Sequence, residues 1–113
     1  MATEKKAMLV VFKMNKKMST DEWREKFSDG YQVISNLPGL FFKCWWCAQQ
    51  KGEWGALYIF DSEKDLEAYI KSDLWMNKVP EKYGSRPEVT ILDPGPMIIK
   101  KLVTAPENSW MTE

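Results

Sequence analysis

Apolar and polar positions change period several times along this chain, and each change marks an element. Residues 7–14, Ala-Met-Leu-Val-Val-Phe-Lys-Met, are apolar on both alternating faces, the pattern of a strand buried on both sides. Ser19 and Glu22 then form an S-x-x-E capping box, in which each side chain answers the other's free backbone N–H. The helix it opens carries Trp23, Phe27, Tyr31 and Ile34 near i, i+4, i+8 and i+11, one apolar stripe with charges opposite. Asn36 and Pro38-Gly39 end it. Residues 40–48 predict a second strand, and 49–53, Gln-Gln-Lys-Gly-Glu, a polar hairpin loop. A third strand covers 54–60, where an interior Gly55 marks a bulge or a close backbone approach. Ser62 and Asp65 cap a second helix that bears Leu66, Tyr69 and Ile70 at helical spacing. Residues 71–79 predict one further helical turn, stopped by Pro80. Residues 87–92 read as a fourth strand, Asp93-Pro94-Gly95-Pro96 as a sharp break, and 97–103 as a fifth strand or arm. Residues 104–113 read as a loose tail with Trp110 available to dock.

The order β-α-β-β-α-β plus an arm is that of the split βαβ, ferredoxin-like α+β fold, in one domain over 1–103 with the tail at 104–113. Helices cover only one face of such a sheet. Strands one to three are apolar on both faces, so the second face needs a cover. A second copy of the chain is the simplest cover, and two sheets packed face to face would close a dimeric α/β barrel. The arm could add a strand across that dimer.

Composition narrows the partners. The 113 residues fit one domain, which buries about two-thirds of the surface its unfolded chain exposes. Sixteen basic residues balance sixteen acidic ones, and the lysine pairs Lys5–Lys6, Lys16–Lys17 and Lys100–Lys101 read as solvated surface. Phosphate binding needs clustered cations, so nucleic acid is not expected as a partner. No apolar run approaches the roughly 18 residues of a membrane span, and the N-terminus lacks a secretory pattern, so a membrane partner is not expected and a cytoplasmic location is. Cys44 and Cys47 are spaced C-x-x-C, yet they fall within a strand, where i and i+3 face opposite sides. Two separate thiols are expected rather than a redox or metal pair. There is no histidine, which removes His-based triads and histidine metal ligands, and no metal site is expected. Six Trp, five Phe and four Tyr exceed what so small a core needs, and point to an aromatic-lined cavity or a large interface.

The run Asn36-Leu37-Pro38-Gly39-Leu40-Phe41-Phe42-Lys43-Cys44-Trp45, followed by Gly55-Ala56-Leu57-Tyr58-Ile59-Phe60 and by Ala68-Tyr69-Ile70, resembles the YdhR-like monooxygenase family. Its pattern is P-G-(F/L)-x-x-K-x-W, then G-G-x-Y-x-F, then A-Y-L. The spacing agrees without a gap from about residue 36 to 72 and continues more weakly to about residue 100. The N-terminal helix and the tail match in element type only. The resemblance implies membership of the dimeric α/β-barrel superfamily and hence a homodimer. It implies a cofactor-independent monooxygenase acting on a small, hydrophobic, aromatic or polyketide-like phenol. Polyketide cyclases and isomerases share the fold, and a non-catalytic dimeric ligand-binding protein is the third reading. Several relatives use a histidine as base or orienter; this chain has none, so their mechanism does not transfer directly, and haem degradation through a proximal histidine is excluded.

Lys43 and Tyr58 are the catalytic candidates. Lys43 sits mid-strand among apolar neighbours and matches the family lysine. It could stabilise an enolate or phenolate, or act as a base if desolvation lowers its pKa. The structural alternative is a stem packed on the sheet with its head in water or on a carboxylate across the dimer. Tyr58 and Tyr69 match family positions and could orient a substrate carbonyl or donate a proton. Trp23, Phe27, Tyr31, Trp45, Tyr69 and Trp75 are the substrate-binding candidates, each with ordinary core packing as its alternative. Trp45 shares a strand face with Lys43 and Trp46 does not; the hairpin register is open, and with it which of the two shares a face with Tyr58. Glu53, Asp61 and Arg86 read as surface residues.

Overall fold

The computed structural model describes residues 4–14, 19–28 and 34–98. Strands β1 (Lys6–Lys13), β2 (Leu40–Ala48), β3 (Glu53–Phe60) and β4 (Glu88–Leu92) form one sheet in the order β2-β3-β1-β4. Every neighbouring pair is antiparallel. Helix α1 (Thr20–Ser28) joins β1 to β2, and α2 (Glu63–Ile70) with α3 (Val79–Tyr83) joins β3 to β4. This is the ferredoxin-like α+β arrangement, with strand boundaries within a residue of those that hydropathy predicts.

Both helix starts form as predicted. Ser19 Oγ accepts from the Glu22 N–H at 3.2 Å, and Glu22 Oε1 accepts from the Ser19 N–H at 3.0 Å. Ser62 Oγ likewise accepts from the Asp65 N–H at 3.1 Å. Each bond satisfies an N–H that the first helical turn leaves without an internal partner.

Residues directly opposite in neighbouring strands share a face. The face under the helices carries Met8, Val10 and Phe12 from β1 and Trp54, Ala56, Tyr58 and Phe60 from β3, all buried. The other face carries Leu9, Val11, Leu57, Phe42, Cys44 and Trp46. There Phe42 remains 41 % exposed, and Leu92 of β4 is 37 % exposed. Cys44 lies opposite Leu57 and Cys47 opposite Trp54, so the two thiols stand on opposite faces.

Two expectations change, and at Gly55 one of the two expected alternatives holds. Pro80 does not stop a helix. A widened turn at Leu74–Lys78 runs directly into α3, whose first turn holds Pro80; the Val79 N–H reaches back five residues to the Leu74 carbonyl, so the regular i to i−4 ladder that a proline would break is already interrupted there. Met97 and Ile98 are not in a strand; the rest of the proposed arm, the tail with Trp110, and Tyr31 lie outside the described residues. Gly55 marks a close approach rather than a bulge: the β3 register is continuous through it, and the bulge falls in β2, between Leu40 and Phe42.

A Cβ on Gly55 would lie 1.8 Å from the Val10 carbonyl oxygen and 3.0 Å from Trp46 Cζ2. The first of these is backbone and has no rotamer to change. Gly55→Ala is therefore expected to destabilise the fold by about 3 kcal/mol or more, read as a lowered urea midpoint at unchanged m-value.

Candidate active site

A cavity of about 560 Å³ lies between the helix-covered face of the sheet and the chain from Leu74 to Tyr83. Its floor is built by alternate residues of β1 and β3: Val10 and Phe12, then Trp54, Ala56 and Tyr58. Lys43 and Trp45 of β2 form one wall, and Phe27 of α1 another. Tyr69 of α2 and Trp75 of the widened turn close the far side, while Lys78, Glu81 and Lys82 stand exposed at its rim.

The β2 bulge decides which side Lys43 faces. Leu40 opposes Phe60 on the helix face. Three residues further on, strict alternation would turn Lys43 to the open face. One extra residue is accommodated at Phe41, so that Phe42 opposes Ile59 and Lys43 opposes Tyr58. Leu40, Lys43, Trp45 and Cys47 consequently share the helix face, and Trp46 lies across Gly55 on the other side. Trp45, not Trp46, lines the cavity.

Tyr69 and Trp75 are set by one serine. Ser72 Oγ donates to the Tyr69 carbonyl at 2.6 Å and accepts from the Trp75 N–H at 3.2 Å. This links the end of α2 to the widened turn, and a π-type turn of this kind re-aims the side chains that follow it. The Tyr69 and Trp75 rings meet at 5.4 Å between centroids.

The polar centre is a chain of three groups. Lys43 Nζ donates to Tyr58 Oη at 2.8 Å, and Tyr58 Oη lies 3.0 Å from Tyr69 Oη. The same Nζ is 4.2 Å from the centroids of both the Trp45 and the Tyr58 rings. Ring faces attract the cation but replace hydration poorly. Desolvation, aided by the positive charge of Lys82, pulls the Lys43 pKa down to about 7. Burial drives the Tyr58 phenol well above its ordinary range, with Tyr69 adding to the shift, and pushes Tyr69 up to about 12. At neutral pH the chain therefore holds two neutral phenols and an amine that can be found with or without its proton.

The remaining candidates fall into place by layer. Phe27, Trp45, Tyr69 and Trp75 border the cavity. Trp23 stands one layer behind, only 2 % exposed, against Trp54 at 4.9 Å and Phe27 at 5.4 Å; it supports the lining rather than joining it. Glu53 pairs with Lys13 at 2.6 Å and Asp61 with Lys5 at 3.7 Å, while Arg86 is exposed, as surface residues. Trp54 and Tyr83 are lining residues that sequence reasoning passed over. Trp54 stacks on Phe12 at 4.3 Å and meets the Tyr83 ring edge-on at 4.6 Å. The parity of Trp54 with Tyr58 in one strand was the available signal; Tyr83 was hidden by reading Pro80 as a stop.

The family model described as "Putative mono-oxygenase ydhR" matches residues 8–85. No curated protein matches the chain. Among solved structures, the chain is similar to a monooxygenase from the ActVA-Orf6 gene of Streptomyces coelicolor in complex with nanaomycin D, at TM-score 0.63 and 14 % identity, covering 88 % of this chain and 95 % of that one. It is similar to a "putative antibiotic biosynthesis monooxygenase" from Caulobacter crescentus at TM-score 0.63 and 17 % identity, covering 84 % and 93 %. It is also similar to SnoaB, a cofactor-independent oxygenase from Streptomyces nogalater, at TM-score 0.63 and 7 % identity, covering 88 % and 100 %. At these identities the likeness is one of fold.

Lys43 leaves a signature in stability. Between about pH 7 and the ordinary lysine value of 10.5, the unfolded chain keeps a proton on Lys43 that the folded chain has released. Stability rises with pH wherever the unfolded state binds more protons. Urea unfolding is expected to show the folded state gaining stability from pH 7 to 9, and Lys43→Met to flatten that rise.

Proposed function

The chain belongs to the ydhR mono-oxygenase family, and from that premise we propose that its cavity is the site of a cofactor-independent monooxygenase for small aromatic, phenolic or polyketide-like substrates. The observation that carries this reading is the amine of Lys43, desolvated between two rings and hydrogen-bonded to Tyr58 inside an aromatic cavity. The similar fold of a cofactor-independent oxygenase supports it.

Flat walls from Trp45 and Trp75 suit a flat, apolar ring, and the three-group polar chain orients it. The neutral amine takes a proton from an activated CH2 of an electron-rich substrate. The resulting ammonium stays beside the anion and stabilises it where little water competes. The anion gives one electron to dioxygen, and the two radicals combine to a peroxide, which is protonated through the Tyr58–Tyr69 pair. Lys43 then removes the second hydrogen as a proton while the O–O bond breaks. In sum, CH2 and O2 become C=O and H2O, and the substrate supplies all the electrons. Lys43 thus stands in for the histidine this chain lacks.

The same reading includes a second copy of the chain. The open face presents Phe42, Leu9, Val11 and Leu57 in one apolar area, and a matching sheet would cover it. Light scattering at micromolar concentration is expected to give twice the chain mass of 13.2 kDa. Phe42→Glu is expected to shift that mass towards the monomer; a monomeric parent chain would sink the barrel.

Oxygen uptake by chelator-treated protein with anthrones and quinols tests the chemistry, with a quinone as the expected product. Because the base must be unprotonated, kcat/KM should rise about tenfold per pH unit below a break near pH 7. Lys43→Arg stays protonated and should lose about 100-fold or more together with that break. An isomeric product without oxygen uptake would move the site to cyclase or isomerase chemistry, and no turnover of any kind would contradict the reading.

A further inference from the structure

Proton abstraction uses only part of what Lys43 offers. The lone pair that accepts a proton is also a nucleophile, and Lys43 lines a cavity large enough for a small aromatic guest. Ordinary lysines do not react as nucleophiles at neutral pH because the proton occupies that lone pair. Here the surroundings differ from those of the lysines on the surface. Lys6 and Lys13 each sit 2.6 Å from a carboxylate, Asp93 and Glu53, which holds the proton on. Lys43 has no carboxylate within salt-bridge distance among the described residues. Its Nζ faces the Trp45 ring and the ring and hydroxyl of Tyr58, and the cationic Lys82 acts on it from the rim. Glu81 and Lys78, the other charged groups lining the cavity, are exposed at its mouth, and Tyr69 and Tyr83 are phenols.

The second component of carbonyl chemistry is an acid beside the amine. Tyr58 Oη is 2.8 Å from Nζ, and Tyr69 Oη is 3.0 Å beyond it. Burial keeps both phenols protonated and therefore able to donate.

We propose that Lys43 is an imine-forming nucleophile and that the cavity accepts small aromatic aldehydes and ketones, with Tyr58 as the proton-transfer partner. The neutral amine adds to the carbonyl carbon, and a proton passes from nitrogen to oxygen by way of Tyr58 to give a carbinolamine. Tyr58 then protonates the hydroxyl, the C–O bond breaks, and water leaves as the nitrogen lone pair forms C=N. The proton on the iminium nitrogen returns to the Tyr58 oxygen, leaving an uncharged imine and a neutral phenol. Carbonyl and amine become imine and water, with no oxidant or reductant required. This capacity does not depend on a reaction with dioxygen.

The test treats the full chain with 2-naphthaldehyde and sodium cyanoborohydride at pH 7, which reduces an imine to a stable secondary amine. Peptide mass mapping then gives the labelling rate at each lysine. The expected result is labelling of Lys43 about tenfold or more faster than of Lys13. Lys43→Arg should remove that fast phase and leave surface labelling unchanged. Tyr58→Phe should slow labelling at Lys43 alone, with the circular dichroism spectrum preserved. Labelling at Lys43 no faster than at Lys13 in the parent chain would overturn the proposal. Oxygen uptake on the same preparation separates the two readings. Trapping without uptake keeps the imine chemistry and removes the oxygenase; uptake without trapping does the reverse.

Discussion

The pairing of β2 with β3 is the constraint on which the rest of the site depends. A strand alternates its side chains, so a register shifted by one residue exchanges its faces. The irregularity at Phe41 makes that exchange once, between Leu40 and Lys43. Before it, Leu40 faces the core; after it, Lys43 and Trp45 do as well, and Phe42 and Trp46 turn to the open side. Without the extra residue, the amine would stand on the sheet face that has no helix over it, away from Tyr58, Tyr69 and the cavity. Gly55 works on the same seam. Its lack of a side chain lets the β1 backbone approach closely and leaves room for the Trp46 ring.

A lysine mid-strand in an apolar sheet is usually a liability. Here its burden is shared between ring faces, a phenol oxygen and the cavity, and among the described residues no carboxylate is drawn in to neutralise it. A carboxylate partner would have held the charge on the amine, as Glu53 does for Lys13. Solvation by aromatic surface leaves the proton only weakly held. The aromatic excess therefore has two uses in one structure. One layer, with Trp23 and Phe60, packs behind as core; the next, with Phe12, Phe27, Trp45, Trp54 and Trp75, borders the space on which the amine opens.

Most of the fold was legible because periodicity and caps are local signals. The four strands and both serine-capped helices follow from alternation, from Ser19 with Glu22, and from Ser62 with Asp65. Lys43, Tyr58 and Tyr69 were each legible as chemical candidates from an apolar setting and a family pattern. Their union into one hydrogen-bonded chain was not, because it depends on a bulge whose presence no local rule announces. Phe41 and Phe42 are two like residues, and either parity could have been right. Pro80 misled for a related reason: proline ends a helix from within but suits its first turn, and only the widened turn before it decides which case applies. Tyr83, downstream of that proline, was lost with it.

The burial of Lys43 would tie guest capture to proton release. An uncharged guest that displaces water from the cavity strips the amine further and disfavours its protonated form. Near pH 7, where that form is still populated, filling the site would then release a fraction of a proton to the buffer. By the same linkage the cavity would hold such a guest more tightly as the solution becomes more alkaline, until the amine has no proton left to lose. An anionic guest reverses the sign, because it draws a proton in and is held best on the acid side. A guest bound in this cavity would thus be sorted into its neutral and ionised forms through solution acidity alone, without any change in the shape of the site.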